Sequence, residues 1–585
     1  MKNLEKLKIF FQKINKSKFL VLLVISICVF LVYHPTFKFD YTYLDDYDLV
    51  VKKNHIYLDI KNIPILFTTK FFMTDYGAYY RPLISFSFMI DAKIGGTRPF
   101  IYHFSNLIYH ILGSFLFFLL LRKFVENYYL VFALTLLFIV HPLNVQTAVW
   151  IPGRNDSILF IFVALSFLYY FKITEKNSIF YHVIFSLSFL SALLSKENAI
   201  LIIPGILIYY FLFKKKLGFS KNFTLVLIET MILTIGWLIL QSKAKGSVII
   251  SEGLELKFLD YILGILNYTG KTLLPLNLSV ITLKDNLNEF YGILVLIFIV
   301  ILSIKGIKNK KIFYFGFIWY LMFLVSGMVG YAGFTNFLDN RAYVPHFGFA
   351  LMIAQYRFFD KAGKYISITI FVIMVIYFLF ITLNYISNFR DGITFYTSAI
   401  KSSPESFFTR RGLANVYHRK GMYDDAEKEF LKSLSLNPNS IETLNNIAIN
   451  YRKMNKPLEA ERYLLRAIEL NPENKITLNN LANLYLSMNK YEESEKLFLK
   501  SISLDSSYYE AYNNLGVLYA RIYKDSLALF NFKKSIKLNP FFMEAYLNLS
   551  IYFFNKGDID SGRYYYKLAL KNGLNPDNPL QKLMQ

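Results

Sequence analysis

The stretch PNSIETLNNIAINYRKMNKPLEAERYLLRAIELN, residues 438–471, is followed at once by PENKITLNNLANLYLSMNKYEESEKLFLKSISLD at 472–505, which has the same pattern. A third copy fills 506–539, a fourth starts at Pro540, and an earlier one starts at Pro404. A constant period of 34 residues indicates a repeat architecture, because each copy is too small to bury its apolar face without its neighbours. The C-terminal part of the chain is therefore predicted to contain about five stacked repeats.

Each copy is predicted to form two helices that approach each other closely. Proline marks most boundaries between copies, where a helix has to stop. Bulky apolar residues recur at 444, 478, 512 and 546, and small residues recur at 448, 482, 516 and 550. This is the tetratricopeptide pattern, and it predicts an α-solenoid with a concave groove over 401–585.

The rest of the chain has the composition of a membrane protein. The sequence is 55% hydrophobic and 18% aromatic, with a mean hydropathy of +0.36, which is too apolar for an ordinary soluble protein. We predict an all-α fold in which a polytopic membrane domain over 1–400, with about 11 transmembrane helices, precedes the solenoid. The predicted spans lie near 19–34, 101–121, 129–142, 157–173, 179–194, 198–213, 222–241, 290–304, 312–329, 345–358 and 364–384.

The basic residues predict the orientation of these spans. Alternate connections are rich in Lys and Arg, whereas the short connections between them hold one basic residue each, namely Arg154, Lys196 and Arg341. This distribution places the N-terminus in the cytoplasm and the repeats on the opposite side. Much of the net charge of +23 is thus a topology signal, and nucleic acid is not an expected partner. The apolar stretch 256–282 is predicted to be an interfacial helix and loop on the outer face.

Charged residues on the predicted outer face are few, and they stand in short motifs. The first outer loop contains FKFDYTYLDDYDLVVKKN (37–54), with adjacent acids at Asp45 and Asp46. Charges near the membrane boundary usually face a cavity, because exposing them to hydrocarbon costs a few kcal/mol. Helix capping, snorkelling to headgroups and solvated hairpin tips are the alternatives for each residue alone. The other members are Arg81, Arg154, Asp156, Lys196, Glu197, Asp339 and Arg341.

Six sequence pieces occur in an order that resembles a known family. They are YLDDYDLVVKKN, YYRPLISFSF, YHFSNLIYH, HPLNVQTAVWIPGRND, LLSKENA and NRAYVPHFGF. Together with the repeats they resemble the transmembrane and tetratricopeptide-repeat O-mannosyltransferases, which are C-type (GT-C) glycosyltransferases. The composition, rich in Lys, Ile, Asn and Phe, favours a bacterial relative.

The resemblance implies a membrane enzyme whose substrates are a sugar on polyprenyl or dolichyl phosphate and a protein. Mannose or another hexose would pass to a Ser or Thr hydroxyl on the non-cytoplasmic face. An acid of the first outer loop, Asp45 or Asp46, would be the catalytic base. The lipid phosphate would bind to basic residues of the outer loops, and three acids would support them. The basic residues are Arg81, Arg154, Lys196 and Arg341, and the acids are Asp156, Glu197 and Asp339.

The residue types fit this chemistry independently of the resemblance. A hydroxyl is a poor nucleophile at neutral pH, and a carboxylate that takes its proton contributes roughly 10²–10⁴-fold. Arg offers the departing phosphate a bidentate fork, and Lys offers a point charge. We favour Asp46 slightly as the base, with Asp45 as an orienting group or metal ligand. The need for a divalent metal stays open.

Some positions depart from the family pattern. Gln146 stands where the family often has glutamate, so no acid–base or metal role is expected there. Ala342 and His346 replace a bulky apolar residue and a serine. One helical face carries a polar set for which interhelical hydrogen bonding is favoured over a metal site. That set is His103, Asn106 and His110.

The repeats carry a ladder of asparagines on the first helix of each pair, Asn446, Asn480, Asn514 and Asn548. Such amides can bind an extended acceptor polypeptide through its backbone, or they can serve repeat packing. Two other functions stay open for the whole chain. One is transfer of the sugar to a lipid or surface polysaccharide, and the other is a catalytically inactive membrane-anchored scaffold.

The predicted orientation can be tested by protease accessibility. We expect the repeats in the periplasm of a bacterial inner membrane, or in the lumen if the membrane is that of the endoplasmic reticulum. Protease added to intact spheroplasts should therefore digest the repeats, whereas sealed microsomes should protect them until detergent is added. Digestion in the opposite pattern would place the repeats in the cytosol and separate them from the proposed site.

Overall fold

The computed structural model describes residues 17–71, 79–214, 220–245, 258–283, 290–304, 306–328, 337–358 and 364–574. These residues form helices and connecting loops without a β-strand, apart from one isolated bridge between Ile307 and Tyr356. The predicted all-α fold is confirmed. The chain divides into two compact units, of which the first comprises Met1–Val50 and Ile60–Ser403, and the second comprises Val51–Asp59 and Pro404–Gln585.

The first unit is built from long apolar helices joined by short ones. Its helices are α1 (Lys18–Tyr33), α3 (Ile63–Thr68), α4 (Pro82–Gly95), α5 (Pro99–Leu121), α6 (Tyr128–Ile139), α7 (Val145–Val149), α8 (Arg154–Glu175), α9 (Ile179–Ser195), α10 (Ile202–Phe213), α11 (Lys221–Lys245), α12 (Phe258–Leu273), α13 (Phe290–Ile304), α14 (Lys310–Met328), α15 (Pro345–Ala354), α16 (Lys364–Ile386) and α17 (Gly392–Ser402). The short helix α2 (Asn54–Tyr57) belongs to the second unit.

Each of the eleven predicted spans coincides with an apolar helix among the described residues. Six helices are long and apolar enough to cross a bilayer, and α6 with its continuation forms a seventh span if the pair, bent by 53°, crosses once. The remaining four predicted spans correspond to apolar helices of 10–17 residues, which are shorter than the ~20 residues of a full crossing. The chain is an integral membrane protein.

The stretch predicted as an interfacial helix and loop forms α12 followed by a loop. Helix α12 packs closely against α13, because two glycines let the backbones meet. A Cβ added to Gly292 would lie only 2.1 Å from the carbonyl oxygen of Leu266. Helix α12 also carries a buried charged residue, Lys271.

The second unit contains five pairs of antiparallel helices, as the tetratricopeptide pattern predicts. The pairs are α18 (Phe407–Arg419) with α19 (Tyr423–Leu436), α20 (Ile441–Lys453) with α21 (Pro457–Leu470), α22 (Lys475–Ser487) with α23 (Tyr491–Leu504), α24 (Tyr509–Arg521) with α25 (Asp525–Leu538), and α26 (Met543–Asn555) with α27 (Ile559–Lys571).

A left-handed residue ends the first helix of every pair at the same repeat position. Glycine and asparagine suit this backbone conformation, whereas a tyrosine fills the position in one repeat. These residues are Gly421, Asn455, Asn489, Tyr523 and Gly557. Within the pair α24 and α25, a Cβ at Gly516 would meet the ring of Phe532 at 2.8 Å, which accounts for a small residue at this period.

The boundary between the two units falls between Ser403 and Pro404. The second unit also takes in Val51–Asp59, a part of the loop that follows α1. Ile56 and Tyr57 of this segment are buried. The sequence does not predict that this segment belongs to the second unit, because the segment lacks the 34-residue repeat pattern of the rest of that unit.

Candidate functional site

The acidic loop is organised around the carboxylate of Asp46, which is almost fully buried. Its Oδ2 accepts hydrogen bonds from the backbone N (2.7 Å) and Oγ1 (2.9 Å) of Thr42, and its Oδ1 accepts from the backbone N of Tyr43 (2.8 Å) and of Tyr47 (2.9 Å). Tyr43 has a φ of +63°, a conformation that costs a bulky residue roughly 1–2 kcal/mol. Asp46 therefore serves to hold this tight turn.

The neighbouring Asp45 is partly buried, and its carboxylate receives no hydrogen bond from the described residues. Burial, together with the charges of Asp46 and Asp48, raises the pKa of Asp45 to about 7, although Arg81 acts to lower it. Burial also raises the pKa of Asp46 to about 6, against the effect of its hydrogen bonds. The geometry favours Asp45 as the proton acceptor and Asp46 as the orienting group, which reverses the preference drawn from the sequence.

The raised pKa values have a consequence for stability. Both carboxyl groups bind protons more tightly in the folded chain than in the unfolded chain, whose Asp pKa lies near 4. Their contribution to folding is therefore most favourable below pH 4 and is lost as the pH rises through about 6 and about 7. The fold thus bears a cost for holding an ionised Asp45 at neutral pH, as is common for functional carboxylates.

Arg81 lies next to this loop and forms an ion pair with Glu197. Its Nη2 and Nε donate to Glu197 Oε2 at 3.0 and 3.2 Å, and its guanidinium stacks 4.2 Å from the ring centroid of Tyr79. Its Nη1 makes no hydrogen bond to the part of the chain that the structure describes. Arg81 is thereby held in place and still has donors for an anion.

Lys196 forms a second ion pair, with Asp156. The Nζ–Oδ1 distance is 2.6 Å, and both side chains are largely buried. Asp156 Oδ2 also accepts a hydrogen bond from Asn340 Nδ2 at 2.7 Å. The ammonium group of Lys196 has three N–H donors, and among the described residues Asp156 is its hydrogen-bond partner, so further donors remain for a ligand.

Electrostatic coupling shows that these loops converge. Burial lowers the pKa of Lys196 and Asp156 opposes this, while the charges of Arg81 and Arg341 lower it further. Arg81 likewise acts on the pKa of Asp45. Arg81, Lys196 and Arg341, from three separate loops, are therefore within electrostatic range of one another, and Arg81 is also within range of Asp45.

Arg341 sits on the short 3-10 turn Asp339–Ala342, which buried contacts hold in place. Asp339 pairs with Lys271 (3.2 Å) and accepts a hydrogen bond from the hydroxyl of Tyr385 (3.2 Å). Burial raises the pKa of Asp339, and the charge of Lys271 opposes the rise. Arg341 Nη1 donates to the carbonyl oxygen of Gly327.

Sequence reasoning missed several members of this network. Asn340 donates from its backbone N to Gln146 Oε1 (3.0 Å) and from its side chain to Asp156. Gln146 thus has a structural hydrogen-bonding role. Lys271 also went unnoticed, although a single lysine inside the apolar run LNYTGKTLLP was a usable signal for a buried ion pair.

Arg154, which the resemblance assigned to the donor phosphate, lies in a network of protein partners. Its side chain is completely buried, and Nη1 forms a 2.6 Å ion pair with Asp91. Nε donates to Asn106 Oδ1 (2.8 Å) and Nη2 to the carbonyl oxygen of Tyr102 (2.9 Å). All three guanidinium nitrogens are therefore engaged within the protein, which leaves Arg154 a structural role.

The polar face of α5 forms hydrogen bonds between elements of the membrane unit, as favoured from the sequence. His103 Nδ1 lies 3.1 Å from the carbonyl oxygen of Val149, and His110 Nδ1 lies 2.9 Å from the hydroxyl of Tyr343. His346 Nδ1 similarly lies 2.9 Å from Asn144 Oδ1. Among the described residues there is no group of three or more His, Cys, Asp or Glu side chains arranged to hold a metal ion.

The asparagine ladder bridges consecutive repeats. Each ladder amide donates from Nδ2 to Oδ1 of an asparagine one repeat earlier, at 2.9–3.2 Å. The bridges are Asn446 to Asn415, Asn480 to Asn445, Asn514 to Asn479 and Asn548 to Asn513. The ladder therefore contributes to packing between repeats, which is one of the two roles considered for it. Each half-buried amide also has a second N–H that its bridge does not use.

Substitution of Arg154 tests its structural role. Arg154→Gln would leave Asp91 charged and buried without its partner, so we expect a loss of about 3–5 kcal/mol of stability and a clear fall in the thermal midpoint of the detergent-solubilised chain. Arg81→Gln removes a cation that is less deeply enclosed and should lower the midpoint much less. Equal midpoints for the two variants would contradict the assignment.

Comparison with known proteins agrees with both units. Models of the tetratricopeptide repeat match residues 405–473 and 463–496. Protein O-mannosyl-transferase F38B6.6 of Caenorhabditis elegans is 23% identical over 383 residues, which are 61% of this chain and 54% of that protein. Protein O-mannosyl-transferase TMTC3 of Homo sapiens is 31% identical over 172 residues, 29% of this chain and 17% of that protein.

Solved structures with similarity to this chain include tetratricopeptide-repeat proteins. One from Parabacteroides merdae is 20% identical, with a TM-score of 0.31, and the match covers 33% of this chain and 75% of that one. TTC0263 of Thermus thermophilus is 17% identical, with a TM-score of 0.29, over 30% of this chain and 96% of that one.

These matches show sequence similarity over part of each relative. This chain spans about half the length of the C. elegans relative, and the match with the human one covers less. The tetratricopeptide repeats of the second unit suggest a peptide-binding scaffold. The chain is an integral membrane protein with tetratricopeptide repeats, related in sequence to the TMTC protein O-mannosyl-transferases.

Proposed function

We propose that the chain transfers a hexose, most simply mannose, from a polyprenyl- or dolichyl-phosphate donor to Ser or Thr hydroxyls of proteins. Transfer would take place on the non-cytoplasmic face of the membrane. The observation that carries this proposal is the grouping of the cations Arg81, Lys196 and Arg341 from separate loops, with Arg81 near enough to Asp45 to act on its charge. The names of the related proteins support the class of reaction.

In the proposed reaction Asp45 is the general base. Its carboxylate takes the proton of the acceptor hydroxyl while the hydroxyl oxygen forms a bond to C1 of the sugar. The bond between C1 and the phosphate oxygen breaks, and its electron pair leaves with the lipid phosphate. With its pKa raised to about 7, Asp45 is a stronger base than an ordinary aspartate and is still substantially ionised near neutral pH.

The cations stabilise the negative charge that develops on the leaving phosphate. Arg81 retains Nη1, and Lys196 retains N–H donors that Asp156 does not use. The partner carboxylates hold both side chains in position before substrate arrives, so little reorganisation is needed. A phosphate can thus add to each ion pair without displacing the carboxylate. Arg341, fixed through its turn, completes the proposed phosphate site.

The acceptor is proposed to be a polypeptide that the repeats bind. Support comes from the tetratricopeptide repeats and from the ladder amides, each with an N–H not used in its bridge. The basic residues of alternate connections favour the non-cytoplasmic side for the repeats. In a bacterium this is the periplasm, and in a eukaryote the lumen of the endoplasmic reticulum.

Separate substitution of the two acids tests their roles. Purified chain in proteoliposomes would receive polyprenyl phosphate carrying radiolabelled mannose and a Ser/Thr-rich peptide. We expect Asp45→Asn to lower the transfer rate by roughly 10²–10⁴-fold, because the base is lost. Asp46→Asn should lower it less, because an amide oxygen still accepts part of the four hydrogen bonds.

The matched control is Asp40→Asn in the same loop. Asp40 Oδ1 accepts a hydrogen bond from the backbone N of Tyr41, and we assign it no role in the reaction, so transfer should stay within about twofold of the wild type. Undiminished transfer by Asp45→Asn would refute the assignment of the base. Absence of transfer by the wild-type chain with this donor would refute the proposed donor.

The pH dependence provides a further prediction. Since the base must be ionised, kcat/KM should rise with pH through an acidic limb near 7, the pKa of Asp45. Arg81 lowers that pKa, so Arg81→Gln should move the limb to higher pH as well as weaken donor binding. A limb that stays at the wild-type pH in Arg81→Gln would show that Arg81 does not act on the base. The profile describes the coupled pair of acids.

A further inference from the structure

The second helices of the fourth and fifth repeats, α25 and α27, share an exposed stripe of aromatic and basic residues. In each helix an aromatic residue is followed by lysines three and seven positions later, a spacing that places all three on one face. Phe530 is 61% exposed and Tyr564 is 59% exposed, and the lysines are exposed as well. We call these six residues the aromatic–lysine surface: Phe530, Lys533 and Lys537 on α25, and Tyr564, Lys567 and Lys571 on α27.

The first three repeats have other residue types at the same positions. A basic residue stands where the later repeats have the aromatic ring, and a leucine stands where they have the first lysine. The basic residues are Lys428, Arg462 and Lys496, and the leucines are Leu431, Leu465 and Leu499. The helices pack through their buried residues, so packing between the repeats does not require this change.

The charge of the second helices also changes sign between the third and the fourth repeat. Helices α19, α21 and α23 each carry more acidic than basic residues, whereas α25 and α27 each carry one acid and three basic residues. Asp525, the acid of α25, is paired with Lys556 at 2.8 Å. The lysines of the aromatic–lysine surface form no ion pair within the part of the chain that the structure describes. The surface therefore combines uncompensated positive charge with exposed rings.

We propose that the aromatic–lysine surface binds to the surface of a bilayer that contains anionic lipid. Lysines are attracted to the negative lipid headgroups, and aromatic side chains are favoured at the level of those headgroups. A bilayer is the favoured partner because the chain is anchored in one by its apolar helices, so that even a weak contact is intramolecular and needs little affinity of its own.

The charge pattern also limits the contact to one part of the repeats. The acidic second helices of the first three repeats are repelled by the same anionic lipid. The contact is therefore confined to the fourth and fifth repeats, and the third repeat provides a matched control. The contact requires no particular arrangement of the two units and does not depend on the proposed sugar transfer.

Site-specific fluorescence in the full-length chain tests this contact. After removal of the single cysteine by Cys28→Ser, a nitrobenzoxadiazole label would be attached through Ser526→Cys, or through Glu492→Cys at the same position of the third repeat. Both positions are exposed, and neither substitution changes the aromatic–lysine surface. In proteoliposomes of phosphatidylcholine and phosphatidylglycerol, lipids brominated near the headgroup should quench the label at 526 at least threefold more strongly than the label at 492. Equal quenching at the two positions would overturn the proposal.

Charge reversal separates binding by lipid charge from accidental proximity. Lys533→Glu combined with Lys567→Glu should lower the quenching at position 526 to that at 492, and so should vesicles of phosphatidylcholine alone. Lys496→Glu combined with Lys500→Glu, on the third repeat, should leave the quenching at 526 unchanged. Undiminished quenching after the reversal at 533 and 567 would overturn the proposal.

An aqueous quencher identifies other partners of the same surface. If the bilayer covers the surface, acrylamide should quench the label at 526 less than half as strongly in anionic vesicles as in detergent, and the lipid quenching should account for the difference. Shielding from acrylamide without quenching by the brominated lipids would show that a second copy of the chain or another polypeptide covers the surface, and it would overturn binding to lipid.

Discussion

The membrane unit depends on one constraint, which is that a charge in an apolar environment needs a partner. Arg154 with Asp91, Lys271 with Asp339 and Lys196 with Asp156 are ion pairs at positions where water has little access. Removing one partner of such a pair costs more than the pair itself contributes, because the other charge is left buried. The pairs therefore fix how the connecting loops meet.

The same constraint separates structural cations from those that can serve a ligand. Each guanidinium nitrogen of Arg154 donates a hydrogen bond to the protein. Arg81 and Lys196 each have one carboxylate partner and further donors that the described residues do not use. The number of unused hydrogen-bond donors thus distinguishes cations that have the same charge and a similar degree of burial. The two acids differ in the same way, because the carboxylate of Asp46 accepts four hydrogen bonds and that of Asp45 accepts none from the described residues.

The sequence predicted the repeats well because their information is local and periodic. Helix pairs, turn positions and close contacts recur every 34 residues, so one copy explains the others. The membrane helices were predictable from hydropathy for similar reasons. The difference between Arg154 and Lys196 was not predictable, because both are single cations close to an acid in sequence. Only tertiary contacts show that Arg154 pairs with Asp91. Which of Asp45 and Asp46 is the base likewise depends on the turn that Asp46 holds, and two adjacent identical residues give no indication of that turn in the sequence.

The place of Val51–Asp59 also has a consequence for biosynthesis. During translation this segment emerges early, whereas Phe541, whose ring centroid lies 6.0 Å from that of His55, is made several hundred residues later. At 5–20 residues per second the delay is on the order of a minute, in which Ile56 and Tyr57 lack their final packing partners. Closure of so long a loop is slow and entropically costly. The segment Val51–Asp59 can therefore reach its final packing only after synthesis of the fifth repeat, so a ribosome that stops early would leave Ile56 and Tyr57 uncovered.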